Sequence, residues 1–253
     1  PKTICFTSGG TEADNMALHA AVDQLGCRRI LTCATEHKAV LATAQLLATR
    51  DDISMDLIPL REDGKIDLQV LDQWLSDGTP TLVSVMHGNN EVGVLQDIEA
   101  IGHCCRRHNA LFHTDTVQTM GHYRMDLGTL PIDFAACSAH KLHGPKGAGF
   151  LYVRDGLRIG AHITGGSQER AMRGGTENLI GIMGLAKALD LSFQDLDGHE
   201  AHIRGLKARM VAGLQEQVPG VQFNAGSDQE DALYTVLSVN FPAHPKNGMF
   251  LFL

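Results

Sequence analysis

Ser138-Ala139-His140-Lys141-Leu142-His143-Gly144-Pro145-Lys146-Gly147 decides how this 253-residue chain is read. The run before it, Ile132-Asp133-Phe134-Ala135-Ala136-Cys137, has the composition of a short buried strand, and Gly149-Phe150-Leu151-Tyr152-Val153 that of another. Lys141 therefore leaves the end of a strand and enters a glycine-rich turn, and strand ends are where α/β proteins keep their chemistry. Lysines beside a Gly-Pro turn are commonly only solvated surface charges, so the stretch acquires chemical meaning only with partners elsewhere.

The first partner is Asp115, which closes the apolar run Ala110-Leu111-Phe112-His113-Thr114-Asp115 and is followed by Thr116-Val117-Gln118. A lysine and a carboxylate now end separate strands. Pyridoxal phosphate (PLP) needs that pair, a lysine to hold its aldehyde and a carboxylate to keep the pyridine nitrogen protonated. Its phosphate needs a cradle, and Ile4-Cys5-Phe6-Thr7 reads as a strand, Ser8-Gly9-Gly10-Thr11 as a tight loop and Glu12 to Leu25 as a helix. Thr11 and Asp14 have the spacing of a capping box for that helix. Many helices begin after Gly-Thr without any ligand, so this loop alone leaves the question open.

Together the pieces resemble the class V aminotransferase family of PLP enzymes, and more closely its cysteine desulfurase (NifS/IscS-type) and selenocysteine lyase branch. Six ordered motifs carry the resemblance: Phe6-Thr-Ser-Gly-Gly-Thr-Glu12, Thr35-Glu-His-Lys-Ala-Val40, Asn89-Asn-Glu-Val-Gly93, His113-Thr-Asp115 with Gln118, Ser138-Ala-His-Lys141 with His143-Gly-Pro-Lys-Gly147, and Gly165-Gly-Ser-Gln-Glu-Arg170 with Arg173-Gly-Gly-Thr-Glu-Asn178. They span almost the whole chain. The resemblance implies PLP-dependent transferase fold type I, a mainly parallel sheet flanked by helices with the start of a small α+β C-terminal domain. It implies removal of sulfur from L-cysteine to give L-alanine and an enzyme persulfide, for iron–sulfur cluster or other sulfur-cofactor assembly. A selenocysteine lyase, another class V aminotransferase or β-lyase, and a noncatalytic PLP-fold binding protein are the alternatives.

Position by position, the resemblance assigns Lys141 as the lysine that holds the cofactor and moves the substrate α-proton, and Asp115 as the partner of the ring nitrogen. His37 would stack on the ring and assist proton transfer, and Gln118 and Asn90 would bond around the ring hydroxyl and substrate. Gly10, Thr11, Ser138 and His140 would bind the phosphate, and Thr176 would reach the phosphate of a neighbouring subunit, which implies a homodimer. The residues themselves also fit plainer roles. His37 suits a cap for the helix beginning near Lys38, Asn89-Asn90 an ordinary turn, and Glu36 and Glu177 helix-start carboxylates.

Two elements of the implied chemistry have no counterpart in the chain. None of Cys5, Cys27, Cys33, Cys104, Cys105 and Cys137 matches the mobile persulfide loop, which the resemblance places after Thr235–Phe241, and the arginine that clamps the substrate carboxylate also lies further along. With Pro1 at a strand-like start and Phe250-Leu251-Phe252-Leu253 ending in apolar sequence, the chain reads as a piece of a longer protein, not expected to complete sulfur transfer. Arg170 and Arg173 remain as alternative contributors to substrate affinity.

Cys5, Cys33 and Cys137 read as small core residues. Cys104-Cys105 with His103 and His108 invites a metal reading, yet all lie in one helical stretch, Asp97 to His108, without a second ligand pair at structural-zinc spacing, so no metal site is assigned. Unpatterned cysteines without a secretory segment fit a reducing cytosol and a cytoplasmic protein. A net charge of −8 argues against nucleic-acid or anionic-membrane surfaces, and no apolar run is long enough to span a bilayer. A sulfur-acceptor or scaffold protein and L-cysteine (or selenocysteine) are the partners implied.

Strand-like runs at 29–33, 53–60 and 81–87 alternate with helical runs at 39–49, 67–76 and 97–108, the pattern of a parallel sheet covered on both faces. After Thr176 come a helix to about Phe193 and a second from Gly198 to Gln217 with Ile203, Leu206, Met210, Leu214 and Val218 in an apolar stripe. Strand-like runs follow at 221–224 and 234–241. The expected organisation is a PLP-binding domain over 1–190 and the start of a small domain over 191–253.

Overall fold

The computed structural model describes residues 2–242. Short runs rich in branched, aromatic and small apolar residues form a seven-stranded sheet in the order β1-β7-β6-β5-β4-β2-β3. Its strands are β1 (Ile4–Thr7), β2 (Arg29–Thr32), β3 (Ser54–Leu57), β4 (Thr81–Ser84), β5 (Leu111–Asp115), β6 (Phe134–Ser138) and β7 (Gly149–Val153). β3, β2, β4, β5 and β6 run parallel, and only β7 is antiparallel to its neighbours β6 and β1. Every residue of β4, β6 and β7 is buried, the signature of strands covered on both faces.

Alternation along the strands divides the core between two helical layers. Phe134, Ala136 and Leu151 face the helix α1 (Gly10–Asp23) through Ala13, Met16 and Ala17, with α2 (Lys38–Leu47) beside it over Ile30 and Leu82. Ala135, Cys137, Val83 and Phe112 face the other side, covered by α3 (Leu68–Leu75), α4 (Ile98–Arg107) and α6 (Leu179–Gln194). Where α4 crosses, a Cβ at Gly102 would strike the Pro131 carbonyl, so only glycine permits that approach.

The edge strand β1 is closed by an unusual turn. In the one-turn helix α5 (Gln168–Ala171), Glu169, Arg170 and Ala171 all adopt left-handed φ of 46°, 57° and 62°. The strain aims two side chains at the edge: Glu169 accepts from Phe6 N–H at 3.0 Å and Arg170 donates to the Ile4 carbonyl. An exposed pairing edge is thereby blocked.

Two sequence readings shift in the C-terminal part. α7 (Leu196–Gln217) begins two residues before Gly198, with only Asp195 between it and α6, so the expected boundary near 190 falls in the last turns of α6. The strand expected over 234–241 is reduced to β9 (Val239–Asn240), paired with β8 (Gln222–Phe223). Tyr234 leaves that pattern because its ring is buried against Tyr123, with centroids 5.4 Å apart. No described helix is long and apolar enough to cross a membrane.

Candidate active site

The carboxyl ends of β4, β5 and β6 open into a cavity of ≈ 250 Å³. Gly10, Thr11, His37, Asn90, Asp115, Gln118, Ser138, His140 and Lys141 all line it, so sequence-distant residues assigned from the motifs converge. Thr176 does not; it lies in a neighbouring cavity of ≈ 110 Å³ with Ser8 and Gly147.

One end of the cavity is built for an anion. The first N–H groups of α1, at Gly10, Thr11 and Glu12, precede the first intrahelical bond, from Ala13 N–H to the Gly9 carbonyl at 3.2 Å. They sit at the positive end of the helix dipole. Ser138 Oγ and His140 Nδ1 lie 2.8 Å apart beside them. This arrangement depends on closeness: a Cβ at Gly10 would come within 2.7 Å of Val117 Cγ2, and one at Gly149 within 2.7 Å of Gly9 Cα.

The capping box expected from Thr11 and Asp14 does not form. The helix starts at Gly10, which puts Thr11 and Asp14 inside it, and no side chain caps Gly9. Glu12 acts there instead, accepting from Ser8 N–H at 2.9 Å and pairing with Arg173 at 2.8 Å. Arg170 and Arg173, candidates for substrate affinity, are thus engaged with backbone and with Glu12.

The other end holds buried acids. Asp115 Oδ1 accepts from Val117 N–H at 2.8 Å, while Thr116 is fastened to the Ala136 carbonyl by both its N–H and its hydroxyl. Burial, followed by the nearby Asp14 carboxyl, pushes Asp115 up to about 7, against the Val117 N–H, His113 and His37. Asp14, also on the cavity wall, is raised to about 8 by burial and lies 3.4 Å from His113 Nε2. Burial lowers His113 to about 4, and its Nδ1 lies 2.8 Å from Ser84 Oγ.

Glu36 is not a helix-start carboxylate. The end of β2 folds it into the interior, where Oε1 accepts from Met86 N–H at 2.6 Å and from the Cys33 thiol at 3.2 Å, leaving Oε2 unpartnered. Burial raises it to about 8. Glu177 stands just before the cap Asn178 of α6 and therefore outside its first turn.

His37 both caps α2 and faces the cavity. Its Nδ1 accepts from Ala39 N–H at 3.1 Å, so the neutral ring carries its proton on Nε2. Asn89 and Asn90 divide the two roles considered for them: Asn89 Oδ1 accepts from Glu91 and Val92 N–H and builds the turn, leaving Asn90 on the cavity wall. Lys141 lies in a one-turn 3₁₀ helix, Ala139–Leu142, closed by His143 at a left-handed φ of 65°. Met86, Asp14 and Val117 complete the lining without a signal that sequence reading could have used.

These residues fit PLP as a donor set. Asp115 pairs with Ala136 across the sheet, and Ser138 follows two residues on, about 7 Å further along the strand. An anion cradle and a buried carboxyl with one hydrogen bond shown therefore stand at opposite ends of a cavity that also admits Lys141.

All six cysteines are buried and free. Burial pushes Cys5 and Cys27 up to about 12 and Cys104 to about 11, and raises Cys33, Cys105 and Cys137 as well, so none presents a ready thiolate. Cys104 and His108 do share a helix face, and Asp72 on α3 completes a cluster that the sequence did not disclose. Its Oδ1 accepts from His108, Arg107 and the Cys104 thiol at 3.0, 2.7 and 3.5 Å, a clasp between α3 and α4.

The class-V aminotransferase family model matches residues 1–253, and the chain belongs to that family. It is 38% identical over 240 residues to the cysteine desulfurase IscS of Clostridium botulinum (strain Hall), covering 94% of this chain and 60% of that protein. To the putative cysteine desulfurase IscS 1 of Bacillus subtilis it is 41% identical over 242 residues, covering 94% and 62%. Among solved structures, a NifS-like protein superposes with a TM-score of 0.88 at 36% identity, covering 95% of this chain and 66% of that one. DndA from Streptomyces lividans gives 0.85 at 35%, covering 94% and 67%. The chain thus spans about 60% of the length of the curated relatives it matches.

Proposed function

We propose that this chain is the cofactor-binding body of a PLP-dependent cysteine desulfurase, releasing sulfur from L-cysteine as an enzyme-bound persulfide and leaving L-alanine. The observation that carries the reading is the convergence of Lys141, Asp115, His37 and the α1 N-terminus on one cavity. The kinship to cysteine desulfurases supports it, as does a related structure described as SspA in complex with cysteine, at a TM-score of 0.80.

When bound, PLP supplies an electron sink for bond breaking at the substrate Cα and, through it, at Cβ–S. The N–H groups of Gly10 and Thr11 with Ser138 and His140 hold the phosphate. Asp115 Oδ fixes a proton at the ring nitrogen; its tendency to stay protonated in the buried site is reversed by a cation opposite it. Lys141 Nζ takes the proton from the substrate Cα. His37, its Nδ1 committed to α2, would stack on the ring and offer Nε2–H for proton transfer. Gln118 and Asn90 orient the ring hydroxyl and substrate.

The six buried thiols support placing the persulfide on a cysteine outside these 253 residues. Thr176 would serve the phosphate of a second subunit, making the enzyme a homodimer, and the segment after about 190 would open a small second domain. The protein would work in the cytoplasm and pass sulfur to an acceptor or an iron–sulfur scaffold.

Borohydride reduction with added PLP, followed by peptide mapping, tests the reading. One adduct, on Lys141, is expected, and Lys141→Ala should abolish both adduct and cofactor colour. An adduct on another lysine, or undiminished cofactor colour in Lys141→Ala, rejects it.

A further inference from the structure

We propose that His122 is a positioning residue that locks the Lys141 turn to the segment carrying Asp115 and Gln118, and that Tyr234 holds its ring in place. This rests on Lys141 being the cofactor lysine.

A one-turn 3₁₀ helix ends with carbonyls that no following turn satisfies. Here the Ala139 carbonyl accepts from Gly144 N–H at 2.8 Å, whereas the partner of the Lys141 carbonyl is His122 Nε2, at 3.3 Å. A carbonyl only accepts, so Nε2 carries the proton. Nδ1 of the same ring, then an acceptor, lies 3.2 Å from the Tyr234 hydroxyl, whose single proton it shares with the His122 carbonyl at 3.3 Å. Burial lowers the imidazole pKa, which favours the neutral ring that this arrangement uses.

The location gives the bond its consequence. His122 ends a tight turn that starts directly at Asp115: Thr119 and Met120 N–H donate to the Thr116 carbonyl, and His122 N–H to that of Thr119. Gly121, at φ 79°, brings this turn against the lysine turn, where a Cβ would stand 3.3 Å from Leu142 Cβ. The chain therefore leaves the ring-nitrogen acid, passes Gln118, and returns through one imidazole to the backbone of the lysine. This link adds a directional hydrogen bond to the β5–β6 pairing and to the packing of Gly121 on Leu142.

Tyr234 fixes the imidazole from the opposite side. It is fully buried, meets the ring edge-on at 6.0 Å, and donates its own N–H to Tyr123 Oη at 3.3 Å. Arg204 of α7 lies over the Tyr234 ring, 5.5 Å from its centroid. The segment after α7 thereby bears on the lysine without entering the cavity.

The test compares His122→Phe, which keeps the ring's bulk, with His122→Gln, whose amide nitrogen has the same reach from Cβ as Nε2. The readouts are cofactor retention on dilution, the yield of the borohydride-trapped Lys141 adduct and the visible circular dichroism of bound PLP. Loss of one net hydrogen bond predicts about 3- to 10-fold weaker retention in His122→Phe, with His122→Gln restoring it to within about 2-fold and recovering the dichroic band. Retention equal to wild type in His122→Phe overturns the proposal. Equal loss in both variants also overturns it, because the ring would then matter only for packing. Should His122→Phe fail to fold, ¹⁵N shifts of the wild-type apo imidazole decide: a proton on Nε2 is expected, and one on Nδ1 refutes the bond. If the wild type gives no Lys141 adduct while the apo imidazole carries its proton on Nε2, the functional reading falls rather than the hydrogen bond.

Discussion

The sheet body and the α6–α7 arm both carry apolar side chains but use them differently. In β6 and β7 every side chain is buried, and α1 alone buries nine residues. α7 is the longest helix described, yet of its 22 residues only Leu196 is buried, while α6 leaves Leu179, Ile180 and Met183 largely in solvent. Amphipathic pattern and burial are thus separate facts. A stripe becomes core only where a second surface meets it, and the sheet provides two such surfaces while the arm among the described residues has little to lie on.

The sharpest way to break this comparison is through the core. Phe134 is fully buried between β6 and α1, and Phe134→Ala should cost about 3–5 kcal/mol by transfer and cavity terms together. Urea unfolding of wild type and variant measures it. A loss below about 1 kcal/mol would mean that the sheet body is no better packed than the arm.

An effect spread over pH sharpens the contrast inside the sheet body, between its apolar middle and its acidic rim. Asp14 has its folded pKa raised to about 8, against an ordinary value of about 4 when unfolded. Between these values the folded protein keeps a proton that the unfolded chain has released, so this group's stabilisation, full below pH about 4, is lost as pH rises to about 8. His113, lowered to about 4, acts oppositely between about 4 and 6.5, because there only the unfolded chain binds its proton. Asp14→Asn removes the first contribution while keeping the side chain's size and polarity. The difference in unfolding free energy, variant minus wild type, should rise with pH by up to about 1.4 kcal/mol per unit and level off above about 8. Urea titrations of the apo protein across that range check it. A difference independent of pH would show that Asp14 ionises normally.

How much of this was legible follows from what each signal depends on. That Lys141, Asp115, His37 and Asn90 line one cavity is foreshadowed in the sequence because motif order survives without knowledge of packing, and short buried strands show as apolar runs bounded by glycine or polar residues. The Thr11–Asp14 box failed because i, i+3 spacing recurs throughout a helix, and only the backbone at Gly9 and Gly10 says where the helix starts. Glu36 was misread because a carboxylate near a helix start usually faces water; here the chain turns inward after β2, and nothing in Thr35-Glu36-His37 marks the turn. Asp72 was missed because its partners are 32 and 36 residues away on another helix. Met86 and Val117 reach the cavity only through strand geometry.

The smallest effect concerns the arm and follows from the same arithmetic of surface. Leu206 is 46% exposed and Met210 57%, so a polar side chain at either position gives up only part of the burial that a core residue would lose. Met210→Glu should shift unfolding free energy by no more than about 0.5 kcal/mol, because a carboxylate there stays hydrated and the helix tolerates glutamate well. Leu206→Lys should do the same, its long stem still covering the neighbouring surface. Both are read by the same urea titration as Phe134→Ala. A cost of 2 kcal/mol or more in either variant would mean that the stripe of α7 is covered in solution, and the contrast between body and arm would then describe two cores, not a core and an open face.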